Sequence, residues 1–181
     1  MPYRSGDEAA TLYRLDPGPR AQPGIDDLTL SNGLGWSPDG RRMYVIDSGT
    51  ATLLTCDYDV ADGSLGAIRP LIEFDLPEGS MPDGMCVDDA GCLWIAIWGS
   101  GELRRYRPDG QLDRRMALPV SQPTSVCFAG ARGDTLIITS ASYGLDSHAL
   151  TREPHAGSLF AFDPGVTGRP ATPWNPELIG L

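Results

Sequence analysis

Asn32 and Asp83 each stand directly before a glycine, and each opens an apolar run, in "SNGLGWSPDGRRMYVIDSG" at 31–49 and "MPDGMCVDDAGCLWIAIWGSG" at 81–101. A carboxylate in such a place can hold a cation and can take a proton from water, and a carboxamide oxygen is a neutral ligand for the same cation. Oxygen donors suit hard divalent ions such as calcium and magnesium. Asn-Gly and Asp-Gly are also common turn pairs, so residue type alone leaves both positions open between ligand and turn former. The chemistry therefore depends on whether the fold brings the two side chains together.

The elements that must position them recur along the chain. Residues 32–48, 83–99 and 124–140 share one design: a polar residue, an apolar strand, a tight turn and a second apolar strand. Gly33, Gly84 and Ser125 hold the equivalent place at steps of 51 and 41 residues, near the ~40–50 residue period of a propeller blade. Pro38-Asp39-Gly40 and Asp89-Ala90-Gly91 carry the turn chemistry of tight hairpins, and Gly133-Asp134 does so more loosely. Third strands are expected in "TLLTCDYDV", "GELRRYRPDG" and "GSLFAFDPG", and fainter fourth strands in "AIRPLIEFDL" and "LDRRMALPV". Ahead of them, "ATLYRLDPG" and "IDDLTL" read as the third and fourth strands of a further blade with no first hairpin before them.

The expected fold is thus all-β, a β-propeller arc of about three and a half blades. Blades stand radially, and the first strand of each lines the central channel. Asn32, Asp83 and Thr124 begin those strands, so they converge on the channel mouth. Closed propellers have four to eight blades, so the expectation is that residues 1–181 are one portion of a longer propeller domain. The other outcome is an arc closed by a partner chain, since open strand edges favour self-association.

Composition narrows the partners. The chain has 24 acidic and 14 basic residues, a net charge of −10, which argues against nucleic acid and is compatible with cation binding. Cys56, Cys86, Cys92 and Cys127 form no C-x-x-C pair and have no His cluster beside them, which argues against a structural zinc site. The opening residues hold no signal-peptide core, and no run reaches the ~20 apolar residues of a membrane span, so the chain reads as cytoplasmic with no membrane partner. Cys86 and Cys127 fall two residues after the repeat's reference position and are expected to be packing residues between blades. Trp94 is expected in the same core, with Trp98 at the strand end free to stack on a sugar ring. Asp47 reads as a turn former. His148 and His155 lie in an irregular insertion, "GLDSHALTREPHAG", and polar loop residues of this kind are usually only solvated.

The segments "SNGLGWSPDGRRMYVIDS", "PDGMCVDDAGCLWIAIWGSGELRRYRPDG", "PTSVCFAGARGDTLIITSAS" and "AGSLFAFDPGVTG" resemble, in order, the C-terminal portion of the senescence marker protein/gluconolactonase family, the regucalcin-like lactonases. The resemblance implies a six-bladed propeller that binds one divalent cation (calcium, magnesium, zinc or manganese) and hydrolyses sugar lactones or related esters. It implies a metal-ligand role for Asn32, in the S/P-N-G-L motif, and for Asp83, in the P-D-G-M/L motif, with Asp83 also the general base. Thr124 is not a usual ligand of that family. The family's third ligand, a glutamate in an E-G-P motif, has no counterpart here, nor do its substrate-contacting arginine and asparagine. A non-catalytic propeller portion that pairs with another chain is the alternative function. An esterase from a different six-bladed family accounts less well for the two motifs.

Overall fold

The computed structural model describes residues 10–16 and 20–169. The first nine residues, residues 17–19 and everything from 170 onward lie outside it, including the Pro-Gly end of "ATLYRLDPG". Within the described residues the elements are β1 (Ala10–Leu15), β2 (Ala21–Leu28), β3 (Ser31–Trp36), β4 (Arg42–Asp47), β5 (Thr52–Asp57), β6 (Arg69–Glu73), β7 (Met81–Val87), β8 (Leu93–Trp98), β9 (Glu102–Tyr106), β10 (Leu112–Ala117), β11 (Pro123–Ala129), β12 (Thr135–Ser140), α1 (Ser147–Arg152) and β13 (Phe160–Phe162). They form four antiparallel sheets in chain order: β1-β2, β3-β4-β5-β6, β7-β8-β9-β10 and β11-β12-β13. This is the expected arc, two outer strands followed by three successive blades. The third blade has no fourth strand among the described residues. No helix among those residues is long and apolar enough to cross a membrane.

The hairpin turns form where the sequence supplies glycine. Gly40, Gly91 and Gly133 adopt φ of 73°, 80° and 62°, a left-handed conformation that side-chain-bearing residues rarely take. Period-two alternation then divides each hairpin between two neighbouring blades. Leu34 pairs with Val45, Met85 with Ile95 and Val126 with Ile138, which puts the three units in register. Tyr44 and Ile46 of one blade pack with Met85, Leu93 and Ile95 of the next. Trp94 and Ala96 of that blade pack in turn with Val126, Phe128, Leu136 and Ile138. On the other side, Met43 and Val45 meet Ile25 and Leu28 of the two-stranded sheet.

Three expectations change. Asp47 is more than a turn former: besides the backbone N–H of Gly49 in its own turn (3.2 Å), its buried carboxylate accepts those of Thr29 (3.0 Å) and Leu30 (2.8 Å). Burial raises its pKa, but those backbone donors outweigh it and hold the carboxyl below its ordinary range. Cys127 is exposed, because no blade among the described residues covers its face of β11, whereas Cys86 at the same register is largely covered. The insertion at 144–157 is not wholly irregular, since it holds α1, capped by Asp146 through the backbone N–H of Ala149 at 2.8 Å. The expectation for Trp94 holds: it is wholly buried in the core shared by the second and third blades.

Candidate metal centre

β3, β7 and β11 are the innermost strands of their sheets, and each begins with the same irregularity. Between Ser31 and Leu34 the chain advances three residues while β4 advances two, from Asp47 to Val45. Between Pro82 and Met85 it again advances three against two on β8. Between Pro123 and Ser125 it advances two against one on β12. Each is a β-bulge, a device that re-aims side chains out of the regular ladder. Asn32, Asp83 and Thr124 are the residues the three bulges carry.

The first two come together because Gly33 lets their strands touch. A Cβ on Gly33 would lie 2.7 Å from the Asp83 carbonyl oxygen, 2.8 Å from the Met85 side chain and 2.9 Å from that of Ile46. No side chain fits there, and the Asn32 side chain comes near enough to the Asp83 carboxylate across the junction to pull its pKa down. Gly84 has the same role at the following junction, where a Cβ would collide with Ser125. Repeated small residues at the reference position are visible in the sequence. Their use as contact points between strands is not.

Asp83 is partly buried, and burial pushes its carboxyl up to about 6 from 3.8, against the pull of the Asn32 side chain and of the Gly84 backbone N–H. Its charge is therefore poorly compensated by the protein, which is the condition a bound cation relieves. Among the described residues, no three of His, Cys, Asp and Glu cluster closely enough to hold an ion. The local donor set is one carboxylate and one carboxamide oxygen, which fits a hard divalent ion and does not fit a thiophilic one.

Thr124 occupies the equivalent bulge, but its hydroxyl is engaged by Thr139 at 2.6 Å, within its own blade. The loop holding the two histidines is fastened to the same rim. Glu153 accepts the backbone N–H and hydroxyl of Ser121 at 2.7 and 2.9 Å, and Gln122 donates to the Tyr143 carbonyl at 2.8 Å. His148 and His155 are exposed, and His148 hydrogen-bonds Arg152 on α1.

An all-β arc of radially following antiparallel sheets, with Asn32 and Asp83 on matching bulges of adjacent inner strands, defines the class, part of a β-propeller. Residues 1–142 match the family described as SMP-30/Gluconolactonase/LRE-like region, and the chain belongs to that family. The regucalcin of Gallus gallus is 37% identical over 166 residues, covering 91% of this chain and 55% of that protein. A solved structure of a calcium-binding regucalcin from Agrobacterium tumefaciens matches with a TM-score of 0.81 at 30% identity, over 88% of this chain and 54% of the other. A gluconolactonase structure from Xanthomonas campestris matches with a TM-score of 0.59 at 33% identity, over 71% of this chain and 41% of the other. The chain spans about half the length of the curated relatives it matches.

Proposed function

We propose that this chain carries the metal-binding and proton-accepting pole of a metal-dependent hydrolase of sugar lactones or related esters, with Asn32 and Asp83 as ligands and Asp83 as general base. The observation that supports this most is the meeting of Asn32 and Asp83 on matching bulges of adjacent inner strands. Family membership and the likeness to a gluconolactonase point to the same reaction class.

The Asp83 carboxylate and the Asn32 amide oxygen would hold the cation. When bound, such an ion polarises an ester carbonyl and lowers the barrier to attack. Asp83 accepts the proton that water gives up as its oxygen bonds to the lactone carbonyl carbon. Breaking the ring C–O bond then lets Asp83 return that proton to the departing oxygen, so the products balance as one hydroxy acid. Asn32 lies beside that carboxylate across the blade junction and favours its charged form. Gly33 keeps the two residues in reach.

The test is hydrolysis of a panel of sugar lactones by the purified chain, with calcium, magnesium, zinc or manganese added or chelated, beside Asp83→Ala. Metal-dependent turnover that is lost in the variant supports the assignment. Turnover unchanged in Asp83→Ala, or no turnover from folded, metal-loaded protein, overturns it for this chain.

A further inference from the structure

Asp47 and Ser48, side by side where β4 ends, reach both of the segments that carry the candidate ligands. Asp47 pairs with Ser31 in the β3–β4 ladder, and its carboxylate holds the backbone N–H groups of Thr29 and Leu30 at 3.0 and 2.8 Å. The Ser48 backbone N–H adds a bond on the same side, to the Leu30 carbonyl at 2.9 Å. Across the blade junction, the Ser48 hydroxyl donates to the Pro82 carbonyl at 2.5 Å. Leu30 stands two residues before Asn32, and Pro82 stands directly before Asp83. Asp47 and Ser48 are each 4% exposed, so water is no ready substitute for either set of bonds.

The hydroxyl bond bears on Asp83 because a peptide unit is planar. Fixing the Pro82 carbonyl oxygen fixes the plane that also holds the Asp83 nitrogen and Cα, and so constrains where the Asp83 side chain leaves β7. Proline gives the ladder no N–H, and the bulge from Pro82 to Met85 takes the next residues out of regular pairing with β8. Ser48 thus fastens the blade from outside at the place where its own ladder is thinnest. The following junction is built differently. By ladder register, Ile97 and Trp98 take the places of Asp47 and Ser48, and Pro123 takes that of Pro82. No hydroxyl stands at that place, and Thr124, the residue its bulge carries, is engaged within its own blade.

We propose that Asp47 and Ser48 form a clamp that sets the separation of Asn32 and Asp83, with Ser48 the positioning residue that ties one inner strand to the other. Asp47 fixes the entry to β3 and Ser48 fixes the entry to β7. The two are consecutive in the chain, so the spacing of the pair is passed through one peptide unit. Gly33 permits the close approach, and the Ser48 hydroxyl holds it at one distance. The consequence for a bound ion rests on the reading of Asn32 and Asp83 as metal ligands, whereas the consequence for their spacing does not. Removing a residue that orients a ligand through a hydrogen bond typically weakens metal binding ~10–100-fold.

Ser48→Ala in the purified chain tests this beside Thr55→Ala, which removes a hydroxyl of the same kind. Thr55 is 3% exposed and its Oγ1 donates to the Met43 carbonyl at 3.0 Å, but both residues lie in one sheet. Each variant is checked for retained fold by circular dichroism. In metal-free protein, the nuclear Overhauser contact between the Asn32 side-chain amide and the Asp83 β-protons is expected in the wild type and in Thr55→Ala, and lost in Ser48→Ala. Calcium affinity by titration calorimetry is expected to fall ~10-fold or more in Ser48→Ala and to stay unchanged in Thr55→Ala. Ser48→Cys, which keeps a side chain there but is a weaker donor, is expected between the wild type and Ser48→Ala, and takes the place of Ser48→Ala should that variant not fold. A contact that persists in Ser48→Ala, or is lost equally in Thr55→Ala, overturns the clamp, as does calcium affinity that stays unchanged while the contact is lost. A wild type that shows the contact, loses it only in Ser48→Ala and binds no calcium leaves the clamp in place and removes the metal-ligand reading instead.

Discussion

Asp83 and Asp88 lie five residues apart in the same blade, at opposite ends of β7, and the fold treats them in opposite ways. Asp88 is wholly buried and fully partnered: Arg105 reaches it at 2.7 and 2.9 Å, the Trp94 indole N–H at 3.0 Å, and the backbone N–H groups of Ala90 and Cys92 at 3.0 and 2.9 Å. Arg105 is held from its other side by Asp113 at 2.6 Å. Asp83 has only the nearby Asn32 side chain and the Gly84 backbone N–H to ease its charge, and burial pushes its carboxyl up to about 6. A carboxylate with every lone pair occupied braces the hairpin turn. One kept short of partners holds its proton to a higher pH.

The sharpest way to break this contrast is Asp88→Ala. It removes one of the two counter-charges of the buried Arg105 guanidinium and leaves the Trp94 indole N–H and two backbone N–H groups without their acceptor, and loss of one partner from a buried pair costs about 3–5 kcal/mol. Urea denaturation should show that loss, and a change within error of zero would mean that Asp88 is not the brace described. A smaller effect is expected from Gly33→Ala, whose added methyl must force β3 from β7. Overpacking of this kind costs about 1–3 kcal/mol, and divalent-ion affinity should fall by more than the change in stability explains. Retained ion affinity would show that close approach at Gly33 does not set the pair.

The smallest effect is expected at Asp83 itself, and it has the opposite sign. A folded-state pKa raised above 3.8 to about 6 means that the charged form is disfavoured by folding. The penalty is absent below about pH 4, grows as pH rises toward 6 and is complete above it. Asp83→Asn should therefore stabilise the metal-free protein at pH 8, by about 1 kcal/mol after allowance for the solvent that reaches the group, and should do nothing at pH 3.5. Thermal unfolding at the two pH values with a chelator present would measure this. Destabilisation at pH 8 would put Asp83 in the same class as Asp88.

Much of the arc is legible in the chain. Tight turns with glycine at Gly40 and Gly91, apolar runs of strand length and a period near that of a blade account for the hairpins β3–β4, β7–β8 and β11–β12. Their common register singles out Asn32 and Asp83 without any knowledge of contacts. Less legible is Asp88, which stands beside Asp89 in a turn-like "DDAG" segment; its partner Arg105 arrives from β9, 17 residues later. Asp47 resembles a turn former in sequence for the same reason, because the backbone donors of Thr29 and Leu30 come from the connection that precedes β3. The exposure of Cys127 is hidden too, since its register is identical to that of Cys86 and only the lack of a covering blade among the described residues distinguishes them.

Residue order by itself determined the strands, their turns and the faces they alternate between, because these follow from backbone sterics and period-two patterning within a few residues. Tertiary structure decided which carboxylate is braced and which is left short of partners. Burial and hydrogen-bond partners are supplied by strands far away in the chain, and the bulges that turn Asn32 and Asp83 toward the mouth exist only once each inner strand is paired with its neighbour.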